Sequence, residues 1–139
     1  MKPKSYRRRP PKQKPAAPDP LAARVVQQVL LELPDLLAVA VVDVASGTSL
    51  AAHSTATINP TTAASFNAEV VRQKQKAMAA LALTDERIDD ILVTLSSQLH
   101  LLQLTTDSSR FIYLAVSAQY TNLAIAREVL RAQVSQLEA

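Results

Sequence analysis

In this 139-residue chain, few side chains have the type and spacing for acid, base, metal or transfer chemistry. They are His53 and His100, the acidic pairs Asp85-Glu86 and Asp89-Asp90, and the arginines Arg72, Arg110 and Arg127. A locally built metal site would place a second histidine or a carboxylate at ligand spacing, and neither histidine has one. His53 falls at the end of a strand-like run, where a solvated loop residue is expected. His100 alternates within another such run and reads as a half-buried or exposed residue without a catalytic role. The four acids share a polar linker with Arg87. A general acid and base would need opposed environments, and this linker predicts solvated charge instead. There is no cysteine, which removes disulfides, thiolate metal sites and cysteine nucleophiles together. The single glycine, Gly47, excludes by arithmetic the P-loop, the dinucleotide fingerprint and the G-x-S-x-G nucleophile elbow. No cofactor and no metal are expected, and the chain does not read as an enzyme.

The elements around these residues follow from periodicity and capping signals. Asp19-Pro20 is an N-cap residue followed by proline at the first helical position, so a helix starts there. Leu21, Val25, Val29 and Leu33 share one of its faces, and it ends near Pro34. Leu37 to Val44, apolar except for Asp43, is a run of strand length suited to a strand covered on both faces. Gly47 stands between that run and Ser49-Leu50-Ala51-Ala52, where a tight hairpin needs a positive φ. Asn59-Pro60 repeats the start signal and opens a long helix from about Thr61 to Leu83. Three strands follow at Ile91 to Leu95, Leu99 to Thr105 and Phe111 to Ser117, joined by short polar links as in an antiparallel meander. A last helix runs from about Thr121 to Leu137, with Leu123, Ala126, Leu130, Val134 and Leu137 on one face. The order α-β-β-α-β-β-β-α predicts an α+β domain, with a five-stranded, mostly antiparallel sheet between helices.

Charge and proline divide the chain in two. The first twenty residues hold six of the eight prolines and seven basic groups (Lys2, Lys4, Arg7, Arg8, Arg9, Lys12, Lys14) against Asp19, a net +6. The remainder has eight basic and eleven acidic residues, a net −3, so the pI near 9.5 describes the arm and not the body. Residues 1–19 read as a disordered basic arm and 20–139 as one domain. A folded nucleic-acid binder would carry its basic patch on the fold, and with aromatics at 4% the body has few stacking platforms. The arm is expected to give at most a weak, salt-sensitive contact with a polyanion such as nucleic acid, anionic lipid or an acidic protein surface. No apolar signal segment follows the basic start. The longest apolar run, Leu36 to Val42, is too short to span a bilayer. The chain reads as cytoplasmic.

The long helix carries two apolar groups at 100° per residue: Phe66, Val70, Ala77 and Leu81, then Ala64, Val71 and Met78. Asn67 and Lys74 fall between them. The combined arc of about 160° exceeds the stripe of roughly 100° that packing on one sheet requires. It points either to a deeply covered helix with Lys74 snorkelling or to two burial surfaces, one of them for a partner. The expected partner-binding or dimer residues are Asn67, Val71, Arg72, Lys74, Gln75 and Met78.

The segment Asn122-Leu123-Ala124-Ile125-Ala126-Arg127, entered from the strand Phe111 to Val116, together with the hairpin Ala38 to Ala52, resembles the roadblock dynein-light-chain family. The resemblance covers about Pro20 to Ala139 and leaves the arm outside. Ala124 departs from it, standing where many relatives have glycine. The resemblance implies a roadblock fold, related to profilin-like architectures, and pairing of two copies through the long helix and the adjacent strand edge. It further implies a bacterial-type homodimer that binds a small Ras-like GTPase and modulates its hydrolysis or nucleotide state. In such proteins the GTPase's own residues are reorganised, so Arg72 is not expected to act as an arginine finger. The alternative is a structural adaptor of the same fold that assembles a larger complex without effect on GTP turnover. The sequence leaves open which GTPase is bound and whether it is activated, exchanged or only held.

Overall fold

The computed structural model describes residues 19–55 and 57–138. The basic arm residues Lys2, Lys4, Arg7, Arg8, Arg9, Lys12 and Lys14 lie outside them. The elements are α1 (Pro20–Glu32), β1 (Ala38–Asp43), β2 (Ser49–Ser54), α2 (Pro60–Ala80), β3 (Asp90–Thr94), β4 (Gln98–Leu104), β5 (Arg110–Ser117) and α3 (Leu123–Leu137). The expected order is present throughout, and the differences fall at element ends.

Those ends have local causes. The Asp19 carboxylate accepts from the Ala22 N–H at 3.0 Å, and Pro20 fills the first helical position. The Asn59 Oδ1 accepts from the Thr61 and Thr62 N–H groups at 2.9 and 3.1 Å. Both caps satisfy amides that have no partner within the helix. The last helix starts at Leu123 and not at Thr121, because the Asn122 Oδ1 caps it through the Ile125 N–H at 3.1 Å. The long helix stops at Ala80, short of the expected Leu83. There Ala82 turns to φ 58°, and the Leu83 N–H reaches back to the Met78 carbonyl at 2.9 Å. That left-handed closure is normally glycine's position, so the sequence carried no stop signal at the site.

The sheet runs β2-β1-β5-β4-β3, with every neighbouring pair antiparallel. The crossover through α2 carries the chain from one edge of the sheet to the other, and the meander then returns β5 to the centre beside β1. This explains why Phe111 to Val116 and Ala38 to Val42 are buried on both faces. On one face Val39, Val41, Ile112, Leu114 and Val116 lie under α1 (Val25, Val29) and α3 (Ala126, Leu130). On the other, Ala38, Ala40, Val42, Phe111 and Tyr113 meet Ala64, Ala68 and Val71 of α2. Alanines on both sides of that second layer let α2 approach the strands closely.

The hairpin turn is fitted to α2 as well. Gly47 has φ +71°, and a Cβ there would stand 3.4 Å from the Ser65 Cα. The Asp43 carboxylate fixes the turn by accepting from the Ser46 N–H and hydroxyl at 2.9 and 2.7 Å. His53 lies within β2 opposite Val39 and is half-buried, not a solvated loop residue.

Candidate functional site

α2 has one face in the core and an apolar face outside it. Val71 is 0% exposed and sits with Ala64 and Ala68 against the sheet. On the opposite side Phe66 is 64% exposed, Val70 43% and Leu81 65%, with Ala77 also exposed between them. The expectation of a partner-facing Val71 is therefore corrected: its face is the domain's own, and the stripe free to meet a partner is Phe66, Val70, Ala77 and Leu81. Lys74 is exposed beside that stripe. Asn67 is half-buried and donates from Nδ2 to the Ala63 carbonyl at 2.8 Å, a bond within the helix. Gln75 and Met78 line a shallow groove of about 280 Å³ with Leu83 and Ile88, between the end of α2 and the linker to β3.

The arginines are anchors. Arg72 Nη1 donates to the Val44 carbonyl at 2.5 Å and ties α2 to the end of β1. Arg110 Nη2 donates to the Leu137 carbonyl at 2.6 Å, completing the C-terminal end of α3; beside it, Glu138 accepts from the Thr106 N–H. Arg127 and Asp90 form a two-bond pair, each bond 3.2 Å, that fastens α3 to β3. Asp90 is thus a partly buried structural carboxylate, where the linker composition had predicted a solvated one. Asp85 and Glu86 are exposed as expected, and so is the Arg87–Asp89 pair, 3.5 Å apart.

His100 has local partners. His100 Nε2 lies 2.8 Å from the Gln98 side-chain oxygen, and its ring meets Tyr113 edge-on with centroids 5.5 Å apart. Burial lowers the His100 pKa and raises that of Tyr113. Among the described residues, no group of three His, Asp or Glu side chains is placed to hold a metal ion. No helix among them is long and apolar enough to cross a membrane.

The two sheet edges differ. β2 is flanked by α1 on one face and α2 on the other, whereas β3 packs mainly on β4. Val93 and the adjoining Leu95 are exposed at that bare edge. An uncovered edge strand offers a row of unpaired N–H and C=O groups to another strand.

Solved structures with this arrangement of strands and helices are found in several bacteria. Myxococcus xanthus MglB superposes with a TM-score of 0.68 at 18% identity, covering 84% of each chain. The Roadblock/LC7 domain from Streptomyces avermitilis gives 0.71 at 11% identity, over 84% of this chain and 93% of that one. The chain has the roadblock fold. A structure of MglB in a tetrameric arrangement also gives 0.71, at 14% identity, over 90% and 94% of the two chains. No family model and no curated protein matches the sequence.

Within this roadblock fold, two surfaces escaped the sequence reading. One is the outward stripe of α2, whose residues were noted but left out of the expected partner-binding set. The signal was present in Ala64 and Ala68, since the face with small residues is the one that approaches alanine-rich strands. The other is an apolar pair, Tyr120 and Ile125, exposed at a groove beside the end of α1, with Leu31 exposed on α1 itself. Leu31 lies off the apolar face of α1, and that misfit was its only signal.

Proposed function

We propose that this chain is a homodimer, paired through the outward stripe of α2 and the β3 edge, which binds a small Ras-like GTPase and regulates or scaffolds it. The observation that carries the pairing is the exposed set Phe66, Val70, Leu81, Val93 and Leu95. Two exposed apolar sets on one chain, the α2 stripe and the β3 edge, are the kind of surface that marks an interaction face. The GTPase reading is supported by the sequence resemblance to roadblock domains and by the likeness in fold to MglB.

In this reading the dimer presents a composite surface to the switch regions of the GTPase. Binding one switch conformation better than the other shifts hydrolysis or exchange without covalent chemistry on this chain. Arg72 is held at Val44, so its role is to brace α2 and not to reach a phosphate. The test is a pull-down of a co-encoded Ras-like GTPase, loaded with GTP or with GDP, by the intact protein and by Phe66→Glu. Preference for one nucleotide state, lost in the variant, supports the proposal. Equal capture of both states points to the adaptor alternative, and no capture overturns GTPase binding.

A further inference from the structure

A groove of about 260 Å³ opens between the end of α1, the end of β5 and the segment leading into α3. Its apolar walls include Leu33, Pro34, Tyr120 and Ile125, and Tyr120 is 76% exposed. Its rim carries the carboxylates Glu32 and Asp35, which make no ion pair among the described residues. An aromatic and a proline beside unpaired acids form a surface suited to a basic, proline-rich segment. Such segments enter aromatic-lined grooves in the extended polyproline form at low entropic cost.

This chain contains such a segment, Arg7-Arg8-Arg9-Pro10-Pro11, within the arm that joins the domain at Asp19. The 13 residues of α1 separate Asp19 from the groove, a distance of about 20 Å at about 1.5 Å per residue. A stretch of the length of residues 12–18 would reach about 22 Å at about 3.1 Å per residue if extended as polyproline. The lengths match. We propose that Arg7 to Pro11 of the same chain occupies this groove, with the prolines on Tyr120 and Ile125 and the guanidinium groups at Glu32 and Asp35. Arginine suits the rim because its planar fork pairs with carboxylates in two-bond geometry. The tether supplies an effective concentration on the order of millimolar, so an intrinsic dissociation constant of about 1 mM gives roughly half occupancy. A polyanion that attracts the arm would compete with the groove and release it. None of this depends on two copies pairing through α2.

The chain has no cysteine, so Ser5→Cys gives a single attachment point for a nitroxide on the full-length, ¹⁵N-labelled protein. The proposal predicts broadening of the Leu36, Val116 and Ile125 amides at low salt. It predicts relief at 1 M salt, where the screening length falls to ~3 Å, in the double variant Glu32→Lys with Asp35→Lys, and in Tyr120→Ser. These side chains are exposed or at the rim, and unchanged amide positions elsewhere in the spectra confirm that each variant is folded. Broadening spread evenly over the surface, centred on α2, or unchanged in the variants would overturn the proposal. A mixture of nitroxide-bearing unlabelled chains with ¹⁵N chains lacking the nitroxide separates the two sources of the arm. Broadening at the groove in that mixture, matching the directly labelled sample, would assign the arm to a second copy and overturn occupancy within one chain.

Discussion

Val70 and Val71 are adjacent in sequence and differ in surroundings, so truncating each to alanine tests the orientation of α2. Val71 is 0% exposed, against Ala64, Ala68 and the sheet. Removing its two methyl groups loses about 0.8 kcal/mol of transfer free energy per carbon. With the residual cavity, the expected cost is about 2 kcal/mol. For a domain of this size that corresponds to a fall in Tm of roughly 8 °C. Val70 is 43% exposed, so in the monomer the same truncation loses much less burial. The higher helix propensity of alanine offsets part of that loss by about 0.5 kcal/mol, leaving Tm nearly unchanged. The assay is thermal unfolding at several protein concentrations. Pairing makes Tm depend on concentration, and Val70→Ala is expected to weaken that dependence while Val71→Ala lowers Tm at every concentration. A large fall for Val70→Ala at the lowest concentration, with Val71→Ala close to the unmodified protein, would show that α2 is rotated from the orientation described.

Ala82 adopts φ 58° after α2, a conformation that costs an L-residue about 1 kcal/mol. Ala82→Gly should therefore raise Tm, and a lower Tm would contradict the left-handed closure. Arg72→Ala loses the charge-assisted bond to Val44 and, discounted for partial exposure, should cost about 1 kcal/mol of stability. It should not produce the collapse of roughly 10³-fold in GTPase rate at saturation that removal of an arginine finger brings; that collapse would refute the bracing role. The Asp107 pKa is lowered to about 2, first by the Ser109 hydroxyl, then by the Ser109 N–H and the Thr105 hydroxyl. A depressed carboxylate stabilises the fold above its unfolded pKa, and that contribution is lost as pH falls through the folded value. The β4–β5 turn should thus hold its Asp107 bonds at pH 4 and lose them towards pH 2. A carboxyl-carbon NMR titration checks this, and an ordinary midpoint in the intact protein, or none of the expected rise in Ser109→Ala, would contradict it.

The fold was legible because its signals were local. Two Asx-Pro starts, one glycine between two strand-like runs and a three-strand meander set the element order without reference to tertiary contacts. The end of α2 was not legible, since Ala82 takes a conformation that alanine does not advertise. The wide apolar arc of α2 was visible, but which half of it faced the sheet depended on strands distant in sequence. The pairing of Arg127 with Asp90 was hidden for the same reason: the residues belong to different elements and meet only after β3 docks beside β4. Arg72 carried no sequence mark of its bond to Val44, which depends on how the β1–β2 hairpin closes under α2.

Sedimentation velocity of the intact protein and of Phe66→Glu, across a concentration series, tests the proposed pairing most directly. Phe66 is 64% exposed in one copy, so its burial in a partner contributes about 1–2 kcal/mol of the full side-chain value. A two-fold interface counts it twice, and loss of both contributions weakens pairing by on the order of 10²-fold. The account predicts a dimer for the intact protein and a folded monomer for the variant at the same concentration. A monomer for the intact protein, or an undiminished dimer for Phe66→Glu, would contradict it.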